Sequence, residues 1–191
     1  GYNELADVRH TVTDGPYTCT TTREDGFTAR LVAAGGTETE VIVGKGHLGL
    51  ERPATVIQRR QIDKTLYGNA VDLSDAEEPY VKAVTAEGSV DEGYGLLTVE
   101  TADGTDLGFA SYAPGIHEAG GLATDAQQGF VVRDGGTVTG AYLGGGTMLK
   151  TGGLALERSR AGLAYLERAE TGAYMWRSLL DSGAVIAGGT D

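Results

Sequence analysis

Residues 64–112 read KTLYGNAVDLSDAEEPYVKAVTAEGSVDEGYGLLTVETADGTDLGFASY, and this stretch decides the fold class. It holds four short runs, near Leu66–Leu73, Tyr80–Glu87, Gly95–Thr101 and Asp106–Tyr112, rich in Val, Leu, Tyr, Thr and Phe. Clusters of Asp, Glu, Gly, Ser and Pro separate them, the tightest being Asp103-Gly104. Strand-forming runs joined by turn residues of this kind predict an antiparallel sheet.

The pattern extends upstream. A short strand is expected near Val8–Val12, followed by a turn at Asp14-Gly15-Pro16. Tyr17–Arg23 (YTCTTTR) is rich in Thr, whose β-branch suits a half-exposed pleated surface. Asp25-Gly26 turns the chain into Phe27–Ala33, where Phe27, Ala29 and Leu31 alternate with Thr28, Arg30 and Val32, the period of a strand with one wet face. Glu40–Gly44 and Thr55–Ile62 are further strands. The glycine-rich Gly44–Gly49 (GKGHLG) leads to Glu51-Arg52-Pro53 and another strand-like run, not to a helix with a Gly-Lys-Ser/Thr ending, so it reads as a sheet-end loop and not as a phosphate cradle.

Downstream, Ala113–Thr124 reads as a loop around Pro114, Gly115, Gly120 and Gly121. Gln128–Arg133 and Thr137–Leu143 form a hairpin about Asp134-Gly135-Gly136. Gly144-Gly145-Gly146 is expected to separate that strand from Thr147–Lys150, and Gly152-Gly153 precedes Leu154–Arg158. The Leu, Ala, Glu and Arg content of 154–169 suits a helix locally. The alternations Leu154/Leu156 and Leu163/Tyr165, with Gly162 and Gly172, favour strands instead. Tyr174–Leu180 and Ala184–Ile186 close the chain about Asp181-Ser182-Gly183. The expectation is an all-β antiparallel β-sandwich of roughly twelve to fourteen short strands, one domain over 1–191.

The chain carries 31 Gly but 4 Pro, and 27 acidic against 15 basic residues, a net charge of −12. So acidic a surface repels nucleic acid and anionic membranes, and neither is expected as a partner. Cys19 is the only cysteine, which excludes an intrachain disulfide. No apolar run approaches the roughly 20 residues of a membrane-spanning helix. The chain opens Gly1-Tyr2-Asn3-Glu4 without a basic-then-apolar leader, and a fragment of a longer polypeptide is expected.

Little in the sequence announces chemistry. His10, His47 and His117 are far apart, so no local metal site is expected. Cys19, set among threonines, reads as a packed thiol. The carboxylate pairs Glu77-Glu78 and Asp91-Glu92 lie in turn-like segments and read as solvated. Arg59 and Arg60, with Lys64, form the one basic cluster; guanidinium groups pair bidentately with carboxylate or sulfate, and exposed strand arginines equally pair with the protein's own acids. His117 stands beside Glu118, a neighbour able to orient an imidazole. Tyr80, Tyr94, Tyr112, Tyr142, Tyr165, Tyr174 and the lone Trp176 are rings able to stack on sugars. Arg59, Arg60, Tyr80, His117 and Trp176 are the candidate substrate-binding residues; no residue is assigned as catalytic or metal-binding, and no cofactor is expected.

The segment QRRQIDKTLYGNAVDLSDAEEPYVKAVTA, residues 58–86, is similar to a segment of the heparinase II/III-like polysaccharide lyases, where "EPY" precedes a strand with a V-x-x-V spacing; here these are Glu78-Pro79-Tyr80 and Val81–Val84. The strands LLTVET and DLGFASY, the hairpin at Asp134-Gly135 and the GGTMLKTGG strand break continue the likeness over about residues 5–180. The resemblance implies the C-terminal β-sandwich of such an enzyme, a missing N-terminal α/α toroid, and a secreted or periplasmic parent that cleaves uronic-acid polysaccharides by β-elimination. Such lyases use a Tyr/His pair with a metal-supported histidine cluster. No position here matches that motif, so no catalytic residue is carried over. The implied role is a non-catalytic domain that supports the toroid and lines the sugar cleft. The rivals are a free-standing carbohydrate-binding module and a structural module.

Overall fold

The computed structural model describes residues 5–46, 54–73, 78–179 and 185–188. His47-Leu48-Gly49 of the Gly44–Gly49 loop, the Glu51-Arg52-Pro53 approach, Glu77 and the Asp181-Ser182-Gly183 turn lie outside the described residues. The protein is all-β, with antiparallel sheets in the sandwich manner, and sixteen strands run through the described residues. It divides into two compact units, Gly1–Thr85 and Ala86–Asp191.

The first unit holds β1 (Ala6–Thr13), β2 (Tyr17–Thr22), β3 (Thr28–Ala33), β4 (Thr39–Lys45), β5 (Ala54–Arg59) and β6 (Asn69–Asp72). They form two three-stranded sheets, ordered β1-β4-β5 and β2-β3-β6. Val32, Ala33, Val41 and Ile42 are buried within it. The edge strand β1 is exposed along most of its length, with Val8 and Val12 on the surface. Its register slips between Ala6 and Arg9, where Asp7 takes a positive φ of 53°. Such a bulge, next to charged side chains, blunts an open sheet edge.

The unit boundary falls inside β7 (Val81–Ser89). The second unit continues with β8 (Tyr94–Thr101), β9 (Thr105–Ser111), β10 (His117–Ala119), β11 (Leu122–Thr124), β12 (Gln128–Asp134), β13 (Thr137–Thr151), β14 (Leu154–Arg168), β15 (Tyr174–Leu179) and β16 (Val185–Gly188). Its spine is the hairpin of β13 and β14, each 15 residues long. The first half of β13 pairs with β12 and with the second half of β14, which carries β15. The second half of β13 pairs with β11 and with the first half of β14, which carries β16. Leu143, Leu149, Leu156, Ala164 and Leu166, drawn from both halves, are fully buried in one core with Leu96, Leu107, Phe109 and Leu122. One bent hairpin therefore supplies both halves of its length to a single ten-stranded sheet that packs on a common core.

The bend sits at the triple glycine. The β13–β14 register shifts on both sides of Gly146. Gly145 has a φ of 74°, and a Cβ on Gly146 would stand 2.6 Å from Ala126 Cα, so only glycine lets the backbone turn there. A slip in a ladder leaves N–H groups without strand partners. Asp125 supplies the missing acceptors: Oδ1 accepts from the N–H groups of Thr147 (2.8 Å) and Met148 (2.7 Å), and Oδ2 from the Thr147 hydroxyl (2.5 Å). Partial burial pushes the Asp125 carboxyl up, but the Thr147 hydroxyl and these N–H groups outweigh it and hold the group below the usual carboxylate range.

Two local expectations are corrected. Gly144-Gly145-Gly146 bends one continuous strand instead of ending it, because Asp125 satisfies the backbone that the slip exposes. Ala113–Thr124 is not wholly loop: β10 and β11 pair within it about Gly120-Gly121, both at positive φ. Three-residue strands are too short for an alternation to be visible. Residues 154–168 are strand, as the Leu154/Leu156 alternation predicts; Leu154, Leu156, Ala164 and Leu166 face the core while Ala155, Glu157 and Tyr165 do not.

Candidate functional site

Three places bring polar or aromatic side chains together. The first, in the unit Gly1–Thr85, surrounds Arg60. Its Nε donates to Thr39 Oγ1 (2.7 Å), Nη1 to Thr65 Oγ1 (2.5 Å) and Leu66 O (3.4 Å), and Nη2 to Gly35 O. The guanidinium carbon lies 5.3 Å from the centre of the Tyr67 ring. A Cβ on Gly36 would fall on the guanidinium itself, so glycine makes the room this arginine occupies. Arg60 thus ties β4, the Gly35-Gly36 turn and the 65–67 segment together, with its donors facing protein acceptors. Arg59, alongside, is exposed and bonds the Glu40 carboxylate across the β4–β5 ladder.

The phenol of Tyr17 is close to this knot. Its Oη is buried without a hydrogen-bond partner among the described residues, and burial, then the neighbouring Cys19 and Tyr67, push its pKa up to about 12 against the pull of Arg60. Burial likewise pushes the Cys19 thiol up, opposed by Arg9, so it stays protonated and unreactive at neutral pH. Tyr80 is exposed; its N–H donates to Asp72 Oδ2 (2.9 Å), which also accepts from Val81 N (3.3 Å) and lies 3.5 Å from Arg30 Nη1. Buried Asp72 at the end of β6 thereby anchors the entry to β7.

The second place, in the unit Ala86–Asp191, surrounds His117 at the start of β10. Its ring stacks on Tyr94 at 4.7 Å between centroids and lies 6.0 Å from Phe109. Tyr94 packs against the common core, so the imidazole caps the end of that core. His117 Nε2 stands 3.1 Å from Ser111 Oγ and 3.3 Å from Ala113 O. A hydroxyl beside an imidazole invites a nucleophilic reading. The Ser111 hydroxyl, however, faces the carbonyls of Ala113 (2.8 Å) and Gly93 (3.1 Å) and accepts from Ala113 N (3.2 Å). The hydroxyl is therefore engaged by carbonyl oxygens as well as by the imidazole, and the Ser111–His117 contact is one of several that hold this loop. The arrangement is a core cap in which Ser111 Oγ and Ala113 O share the His117 Nε2.

The third place is the outer face of the sheet formed by β12, β13 and β14. Phe130, Tyr142 and Tyr165 are direct cross-strand partners in one row, which Gly108 and Leu97 continue on β9 and β8 and Arg177 meets on β15. Their chain neighbours Val131, Ala141, Leu143, Ala164 and Leu166 are buried, so alternation turns the rings outward. Phe130 is 42% and Tyr165 38% exposed, large values for aromatic side chains on a sheet. Tyr142 lies along its own strand over Gly144, where an added Cβ would stand 2.8 Å from its hydroxyl. Phe130 leans over Gly108 on the other side. Asp106, on the same side of β9, accepts from Arg133 N (3.2 Å), and burial pushes its carboxyl up despite that bond and the Arg133 charge.

Of the residues the sequence singles out, Arg59, Arg60 and Tyr80 belong to the first unit and His117 and Trp176 to the second. Trp176 is half exposed and pairs with buried Leu166, which places it on the side of β15 opposite the aromatic row. Tyr142 and Tyr165 are legible as stacking candidates, but Phe130 is missed. Its signal was the alternation of Gln128–Arg133, with Gly129 and Val131 inward. An open groove of about 610 Å³ lies near the β10–β11 and β13–β14 turns, lined by Glu118, Leu122, Lys150, Leu154 and Ala155 among others. Lys150 at its rim is paired with Glu157 at 2.6 Å. Among the described residues no group of three or more His, Cys, Asp or Glu side chains is placed to hold a metal ion. Comparison of the chain with protein-family models, with curated proteins and with solved structures finds no match.

Proposed function

We propose that this chain is a non-catalytic β-domain of a heparinase II/III-like polysaccharide lyase and that it meets polysaccharide through the Phe130–Tyr142–Tyr165 row. The row carries the reading. Rings in register on three adjacent strands, two of them exposed, suit the apolar C–H faces of sugars, and the sheet fixes their spacing without ordering a loop. The likeness of residues 58–86 to the lyase segment supports the parent assignment. The Ser111 hydroxyl beside His117 is held by the carbonyls of Gly93 and Ala113, which supports the non-catalytic part.

The same row favours a second reading, a free-standing carbohydrate-binding module, because it needs no residue outside Ala86–Asp191. Both readings predict glycan retention by the purified chain in a polysaccharide-containing gel, weakened at least about tenfold by Tyr142→Ala, the equivalent of about 1.4 kcal/mol. Both also predict no ultraviolet-absorbing unsaturated uronate on incubation with polyuronates. Release of that product would sink the non-catalytic assignment. A longer parent chain with a helical region ahead of these residues selects the lyase reading over the free-standing one.

A further inference from the structure

We infer that this chain pairs with a second copy of itself through the open edge of β2, antiparallel about a two-fold axis at Thr20. The inference is independent of the carbohydrate reading. It starts from the hairpin that joins β2 to β3. Arg23 N donates to Phe27 O (2.8 Å) and Gly26 N to Arg23 O (3.0 Å), with Gly26 at a φ of 87°. Arg23 and Phe27 are therefore a hydrogen-bonded pair. In an antiparallel ladder such pairs alternate with pairs whose N–H and C=O groups point away from the partner strand. The β2–β3 register runs without a slip from Thr22↔Thr28 to Tyr17↔Ala33, so Thr22, Thr20 and Thr18 hold the outward positions. The Thr22 and Thr28 hydroxyls lie 3.2 Å apart, as the closer side chains of a non-hydrogen-bonded pair allow. β2 ends its sheet, and all three threonines are exposed. Their N–H and C=O groups form a row that no strand meets among the described residues.

An unpaired row of backbone donors and acceptors takes up another strand. The other edge strands of six or more residues are guarded by charge: Asp7 and Arg9 on β1, Arg59 on β5, Lys82 and Glu87 on β7, Arg177 on β15. β2 (YTCTTT) has no charge, no proline and no glycine. In a chain of net charge −12 it is an edge where two copies can approach without setting carboxylates opposite one another along the strand. Its outward residues also fit their own reverse. A two-fold axis at Thr20 sets Thr20 against Thr20 and Thr18 against Thr22, so every outward N–H and C=O finds a partner and the facing side chains are all threonine. Pairing about Cys19 would instead set Thr22 opposite Pro16, which has no N–H to give. The contact is isologous and closes at two copies. Arg23, Glu24 and Asp25 of one copy approach the end that carries Asp14 in the other, a net repulsion that salt screens. With so few residues on each side, the dimer is weak and transient.

The test is sedimentation velocity of the 191-residue chain over concentrations up to about 1 mM, at low and at high salt. The expected result is a monomer–dimer equilibrium that tightens with salt. Thr20→Lys sets two ammonium groups opposite each other at the axis and should weaken the dimer at least about tenfold, while Thr20→Val should preserve it. Thr18→Lys is the second probe if Thr20→Lys lowers the melting temperature. In a Cys19→Ser background, Thr20→Cys should give a disulfide-linked dimer with diamide faster than Thr137→Cys, an exposed position at the start of β13, because facing Cα atoms of a hydrogen-bonded pair lie about 5.5 Å apart. A chain that stays monomeric throughout overturns the inference. So does a dimer that neither lysine weakens, a dimer that salt dissolves, or equal cross-linking through the two introduced cysteines.

Discussion

The two units reach stability by different means. Ala86–Asp191 encloses an apolar core in which Leu143, Leu149, Leu156 and Leu166 have no solvent exposure, gathered by one long bent hairpin. Gly1–Thr85 has no strand as long as β13 or β14 and fewer buried apolar side chains among its described residues, and it relies on polar ties: Arg60 across three segments, Asp72 at the β7 entry, and Gln58 Nε2 donating to Asn69 Oδ1 at 2.9 Å. Apolar burial is non-directional and proportional to area, so it rewards long strands that stack many side chains. Short sheets cannot collect that area and depend on directional bonds, each of which fails singly when one partner is removed.

This contrast can be broken by substitution. Leu156→Ala removes a fully buried side chain from the densest part of the core and should cost about 3–5 kcal/mol, read by denaturant unfolding; a loss under about 1 kcal/mol would mean the core is looser than its packing implies. Asp72→Ala should cost about 2–3 kcal/mol, because it leaves the N–H groups of Tyr80 and Val81 without the carboxylate that accepts from them. A near-neutral result there would undo the claim that the first unit depends on polar ties.

Asp125→Asn is the mildest and has a pH signature. An amide can still accept at one position, so the loss at neutral pH should be about 1 kcal/mol. The Asp125 carboxyl sits below its ordinary value in the folded state, so its contribution is present above the unfolded carboxylate pKa of about 3.9 and is lost as pH falls through the folded value. Melting curves of the two proteins should therefore converge in acid. A gap independent of pH would locate its effect in packing at the bend and not in the charge.

Much of the architecture is legible in residue order. The Leu66–Tyr112 runs, the Gln128–Leu143 hairpin and the strand character of residues 154–168 follow from alternation and turn chemistry, which act within a few residues. The candidate site is legible only in part. Tyr142 and Tyr165 stand out as rings, but nothing local shows that they share a row with Phe130, since that depends on register across three strands. Arg60 reads as an exposed cation until the fold sets Thr39, Gly35 and Tyr67 around it from up to 25 positions away.

The sequence by itself determined the all-β class and the positions of most turns, because backbone preference and two-residue alternation are short-range properties. The tertiary structure alone decided that the triple glycine bends a strand instead of ending it, that Arg60 of the basic cluster ties three segments together, and that three separate aromatic residues form one row. Each of those outcomes depends on which distant backbone group or side chain arrives alongside, and such pairings are set by register and core packing over the whole unit.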